Sequence, residues 1–178
     1  MAAMAATPQP PTRLLLLGLM AAGKSTVGTA LANRLQRPYL DNDVLLAQQT
    51  GSSLPQLAQL GIDGLHASER SVFDSLLRHP GPWVASAAAS IVMDPDAVLE
   101  LRRSGVTSVW LRATPETLAA HAGSGAGRPL LQPDPLAVFR EMVHDRSEAF
   151  ASSADVIVDI DGKPLDAIVS DVISAVSR

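Results

Sequence analysis

Five short apolar or β-forming segments alternate with segments of helical period along this chain, and that alternation predicts an α/β fold: a five-stranded parallel sheet flanked by helices. Two further observations support it. The first segment, Leu14-Leu15-Leu16-Leu17, is apolar without alternation, as a strand buried on both faces must be. It runs directly into Gly18-Leu19-Met20-Ala21-Ala22-Gly23-Lys24-Ser25, in which two glycines five positions apart precede Lys and Ser. This is the P-loop pattern, and its place between a strand and a helix specifies the P-loop NTPase fold.

The elements follow in order. After the loop, Ser25 to Gln36 carries Val27, Leu31 and Leu35 at helical spacing. Pro38-Tyr39-Leu40-Asp41-Asn42-Asp43 reads as a short second strand ending in two carboxylates, where the ligand crevice of an open α/β sheet lies. A short helix from Val44 to about Gln48, a cap at Gly51-Ser52-Ser53 and a turn from Gly61 to Gly64 lead to a longer helix. That helix places Leu65, Val72, Phe73, Leu76 and Leu77 on one face, with His66 and Arg70 on a flank. His79-Pro80-Gly81-Pro82 breaks it, and Trp83-Val84-Ala85-Ser86 opens a third strand that runs into Ala87-Ala88-Ala89-Ser90. Asp96 to Arg103 is helical, Thr107 to Leu111 is a fourth strand, and Thr114-Pro115-Glu116 starts a helix with proline at its first position. Gly123-Ser124-Gly125-Ala126-Gly127-Arg128-Pro129 is rich enough in glycine to be a mobile lid. Leu136 to Phe150 forms a helix carrying Arg146, Val156-Ile157-Val158 a fifth strand, and Leu165 to Val176 a closing amphipathic helix.

At 178 residues the chain is long enough for one good core. Residues 1–11 are rich in Ala and Pro without an apolar period and are expected to be a disordered leader, with 12–178 a single domain. Arg13 and the apolar run after it imitate a signal peptide, but cleavage there would destroy the P-loop, and the run is too short to cross a membrane. A net charge of -4 with scattered basic residues argues against a nucleic-acid partner, and the absence of Cys removes disulfides, thiol nucleophiles and thiolate metal sites. The expectation is a cytoplasmic monomer with no membrane partner.

The chemistry follows from the loop. Its glycines permit a tight turn, so backbone N–H groups of Gly18, Met20, Ala21, Ala22, Gly23, Lys24, Ser25 and Thr26 can point at phosphate oxygens above a helix N-terminus. Lys24 can reach the β- and γ-phosphates, and Ser25 can ligate Mg²⁺. Phosphoryl transfer otherwise needs an acceptor site and a closing cation. Asp41 is placed to hold a metal-bound water, Asp43 to bind the acceptor hydroxyl and take its proton, and Arg128 to swing onto the transferring phosphate. The same two aspartates also suit a turn and a helix N-cap, and Arg146 suits a pair with Asp145 or Glu148 as well as a site. The cofactors expected are ATP and Mg²⁺.

In GLMAAGKSTVG over Gly18 to Gly28, in Asp41-Asn42-Asp43, in Thr50-Gly51-Ser52-Ser53-Leu54, in Arg128-Pro129-Leu130-Leu131 and in Arg146 through Asp159, the chain resembles the shikimate kinases. The motifs fall in that family's order from about Arg13 to the C-terminus. The resemblance implies a nucleoside-monophosphate-kinase-like core and transfer of phosphate from ATP to a ring hydroxyl of shikimate. It also implies that Asp43 binds the acceptor's hydroxyls, that Arg146 holds its carboxylate, and that His121 and Pro164 lie near adenine.

The departures cluster on the acceptor side. Where the family has Phe-Arg-x-x-Glu, this chain has Leu65-His66-Ala67-Ser68-Glu69, and three family glycines become Ala87, Ala88 and Ala89. Losing the arginine removes a planar fork that matches a carboxylate; Glu69 favours a charged His66 in partial compensation, and Arg70 is a second substitute. Each alanine forced to positive φ would cost about 1–2 kcal/mol, so a reshaped loop is expected instead of a strained one. The expected function is transfer to shikimate or a related small hydroxy acid. A non-catalytic module that binds nucleotide or a small acid is the alternative.

Overall fold

The structure is a computed structural model and describes residues 9–52, 54–59, 61–123, 131 and 134–178. Its strands are β1 (Arg13–Leu17), β2 (Tyr39–Leu40), β3 (Trp83–Ser86), β4 (Thr107–Arg112) and β5 (Val156–Asp159). They form one sheet in the order β2-β3-β1-β4-β5, with every pairing parallel. The helices are α1 (Lys24–Leu35), α2 (Asn42–Thr50), α3 (Leu54–Gln59), α4 (Ile62–Arg78), α5 (Pro95–Arg103), α6 (Pro115–Ala122), α7 (Pro135–Ser153) and α8 (Leu165–Val176), with a 3₁₀ turn at Ile91–Met93.

The leucine run of β1 explains the layering. Successive side chains of a strand point to opposite faces. Leu15 and Leu17 therefore enter one core with Phe73, Trp83, Trp110, Phe139 and Phe150. Leu14 and Leu16 enter the other with Val27, Leu31, Val169 and Val172. All four leucines are buried, so the strand that launches the P-loop is fixed from above and below. Trp110 and Phe150 stack with centroids 5.4 Å apart, seating α7 on β4.

Three segments differ from the sequence reading. The expected turn at Gly61 to Gly64 is the first turn of α4, which starts at Ile62 and takes Gly64 into the helix. The second strand is only Tyr39–Leu40, because Asp41 leaves the sheet to cap α2: its Oδ1 accepts from the Asp43 amide at 2.9 Å. The third strand stops at Ser86; the Ala87 amide still reaches Leu16 O at 3.1 Å, and the chain then turns into the 3₁₀ segment. At the other end of the sheet, Arg37 donates to the carbonyls of Pro10, Pro11 and Thr12, so the last residues of the expected leader lie against the domain. The expected lid lies outside the described residues from Ser124 to Leu130.

Candidate active site

The P-loop turns back on itself through three residues of positive φ: Gly18 at 150°, Ala21 at 64° and Gly23 at 75°. Gly18 has a second reason to be glycine, since a Cβ there would lie 3.0 Å from Leu111 O. Ala21 holds a left-handed conformation that costs an L-residue about 1–2 kcal/mol, a local strain of the kind that collects at binding loops. Gly23 precedes α1, which has no side-chain N-cap and no acid in its first turn. The amides of Gly23, Lys24, Ser25 and Thr26 meet no acceptor among the described residues, which leaves a positively polarised helix end facing outward.

Lys24 folds back over the loop, its ammonium donating to Gly18 O at 2.8 Å and Leu19 O at 3.1 Å. Burial of that ammonium lowers its pKa to about 8, and the charges of Asp43, Asp41 and Glu69 offset only part of the effect. The Ser25 hydroxyl donates to Asp41 Oδ2 at 2.7 Å. The same oxygen lies 3.1 Å from the Tyr39 hydroxyl, which in turn lies 2.9 Å from Ser86 Oγ. A phenol has one proton, so Tyr39 donates to the carboxylate and accepts from Ser86. Burial is the main reason the phenol is pushed up to about 12. Asp41 is thus the helix cap that one sequence reading expected, with one oxygen capping α2 and the other accepting from Ser25.

Asp43 is exposed in the first turn of α2, and Asn42 Nδ2 donates to its Oδ1 at 3.2 Å. Across the crevice, Glu69 of α4 is 8% exposed and accepts from Ser90 Oγ. Burial raises its pKa, against the Ser90 hydrogen bond and the nearby charges of His66 and Lys24. Lys24 is therefore within electrostatic reach of Asp41, Asp43 and Glu69, and Glu69 of His66 and Asp43. His66 itself is exposed and makes no hydrogen bond or ion pair among the described residues. Arg70 does not substitute for the missing fork: its guanidinium is bound to Asp74, Asp94 and Glu100, each at 2.7 Å, and ties α4 to α5.

The three alanines all keep negative φ, so the loop is unstrained there. Ala87 and Ala88 point into the core, and Ala89 is partly exposed. Arg146 is half-buried on α7 and pairs with neither Asp145 nor Glu148. His121 Nδ1 donates to Ala21 O at 3.1 Å, which couples α6 to the strained residue of the loop. Pro164 is exposed at the N-cap of α8. Arg128 lies outside the described residues. Sequence reasoning missed Tyr39, Ser86 and Ser90 as site residues. The available signal for Tyr39 was Gly28: a glycine inside a helix implies a close neighbour, and a Cβ there would lie 2.2 Å from Tyr39 Cε2.

A parallel sheet in this order, with a glycine-rich loop that carries Lys24 and whose Ser25 meets the aspartate at the end of β2, defines a P-loop phosphotransferase of the small-molecule kinase class. The comparisons refine that class. The shikimate kinase (SKI) family model matches residues 20–177, and the chain belongs to the shikimate kinase family. It is 34% identical to the shikimate kinase of Neisseria gonorrhoeae over 149 residues, 83% of this chain and 86% of that one. It is 29% identical to the shikimate kinase of Pseudomonas paraeruginosa over 167 residues, 93% of this chain and 96% of that one. Its fold superposes on a shikimate kinase from Acinetobacter baumannii in complex with shikimate with a TM-score of 0.85 at 23% identity, covering 94% and 93% of the two chains. No helix among the described residues is long and apolar enough to cross a membrane.

Proposed function

We propose that this protein transfers the γ-phosphoryl group of ATP, with Mg²⁺, to a hydroxyl of shikimate or a related small hydroxy acid. The observation that carries the proposal is the Ser25–Asp41 hydrogen bond of 2.7 Å beside Lys24 and Asp43, in a chain of this family. A hydroxyl and one carboxylate suit Mg²⁺, which takes few protein oxygens and completes its shell with water and phosphate. When bound, Mg²⁺ neutralises charge on the phosphate oxygens.

The chain's own residues do the rest. The unsatisfied amides at the start of α1 receive phosphate oxygens, and Lys24 exchanges two loop carbonyls for them. Asp43, exposed at the crevice, accepts the hydrogen bond of the attacking hydroxyl and takes its proton as the oxygen–phosphorus bond forms and the bond to the β-phosphate oxygen breaks. Arg146, without an ion pair among the described residues, holds the acceptor's carboxylate, and Arg128 closes on the transferring group. His121, exposed and hydrogen-bonded through the edge of its ring, stacks on adenine, with Pro164 as the second wall.

The test is ADP formation from ATP and Mg²⁺ against shikimate and a panel of hydroxy acids, for wild type and Lys24→Ala. Acceptor-dependent turnover that Lys24→Ala lowers at least a hundredfold is expected. The exposed His66 and the alanines of the acceptor wall favour one other reading, a binding module without turnover; ATP binding with no acceptor-dependent ADP supports that and overturns the kinase.

A further inference from the structure

Asn42 stands between the two aspartates of the site and is only 4% exposed. Its carboxamide is arranged at a cost. Nδ2 donates to Asp43 Oδ1 at 3.2 Å, and the backbone N–H donates to Ser86 Oγ at 3.3 Å. Oδ1 is enclosed and meets no donor among the described residues, the one buried side-chain atom of which this is true. The amide cannot simply be turned round: that would put a carbonyl oxygen against a carboxylate and lose the one hydrogen bond the side chain makes among the described residues. A buried carbonyl without a donor destabilises a fold, and an apolar residue of similar size would remove that cost. The carboxamide is therefore poorly explained by stability and well explained by what its donor end touches.

What it touches is the exposed carboxylate of Asp43. That side chain sits in the first turn of α2, and among the described residues its carboxylate receives no other hydrogen bond. An exposed Asp so placed turns freely about its side-chain torsions unless something holds it. Asn42 is itself fixed by burial and by its backbone bond to Ser86 at the end of β3. It thus connects the rigid sheet to the one carboxylate that must face the acceptor, and by occupying Oδ1 it leaves Oδ2 open.

We propose that Asn42 is a positioning residue, which orients Asp43 so that its free oxygen addresses the acceptor hydroxyl. This rests on the role of Asp43 in the kinase reading, so the experiment separates the two. Asn42→Thr and Asn42→Val have the same shape and differ in one hydroxyl, which can donate to the neighbouring carboxylate. The expected result is that Asn42→Thr keeps kcat within about threefold of wild type while Asn42→Val loses about tenfold, with the KM for ATP equal in the two. A structural role would instead separate the pair in melting temperature and leave kcat equal. Equal kcat in the pair, with Asp43→Asn inactive, overturns the positioning role alone. Acceptor-dependent turnover retained in Asp43→Asn overturns the reading beneath it.

Discussion

Lys24 holds its ammonium against two carbonyls in a crowded loop, and its lowered pKa of about 8 has a sign that can be tested. The unfolded chain keeps Lys24 protonated up to its ordinary 10.5, so between about 8 and 10.5 the unfolded state binds more protons and stability rises with pH. The charged lysine is thus a burden on the empty fold at neutral pH, relieved when phosphate arrives. Nucleotide binding should then draw in about half a proton per site near pH 8 and almost none near pH 6.5. Calorimetry in buffers of different ionisation enthalpy reads this directly; uptake that does not change over that range, or that survives Lys24→Met, contradicts it. Across the crevice, Glu69 is a buried carboxylate whose hydrogen bond is a single serine hydroxyl. His66→Arg adds a guanidinium fork beside it and should lower the KM for shikimate about tenfold, roughly 1.4 kcal/mol, without changing the KM for ATP. An unchanged shikimate KM would show that the wall near His66 does not meet the acceptor's carboxylate.

Between elements, the joint of α1 with β2 depends on Gly28 and Tyr39. Gly28→Ala should gain about 1 kcal/mol of helix propensity, but its methyl would overlap the Tyr39 ring, with Cε2 at 2.2 Å and Cζ at 2.7 Å. Overpacking costs about 1–3 kcal/mol, so the clash wins. The melting temperature should fall by several degrees, and displacing Tyr39 from Asp41 should weaken Mg²⁺-dependent nucleotide binding. A melting temperature that rises would mean the ring moves aside freely. This joint also marks where the sequence was legible. Strand, loop and α1 could be read from Leu14 to Leu35 because burial, glycine geometry and helical period all agreed there. Gly61 to Gly64 was misread because glycine marks a turn and a helix start alike, and the packing of α4 decided between them. Asp41 could be read as a cap, but sequence does not show that its second oxygen faces Ser25.

For the whole molecule, the two halves of the site are built differently. The phosphate loop leaves β1, whose leucines enter both cores, and runs into α1, which packs on one of them, and Gly18 to Ser25 were recognisable as one contiguous motif. The residues proposed for the acceptor half come from α2, α4, the loop after β3 and α7, elements far apart in sequence. Arg70 illustrates the consequence: it was a plausible replacement cation until the fold brought Asp94 and Glu100 to it from α5. Its salt bridges tie α4 to α5 and commit its guanidinium there, whereas Arg146 has no ion pair among the described residues. Spacing along the chain finds a motif, but it does not say which of several cations the fold leaves free. The account as a whole therefore depends on whether phosphate crosses from one half to the other. Phosphorus NMR of the protein with ATP, Mg²⁺ and shikimate measures this most directly. The account predicts a new phosphomonoester signal that grows as the γ-phosphate signal falls, in equal amount, and that is absent with Lys24→Ala. Inorganic phosphate as the only product, or an unchanged γ-phosphate signal with shikimate and with every related hydroxy acid, would contradict it.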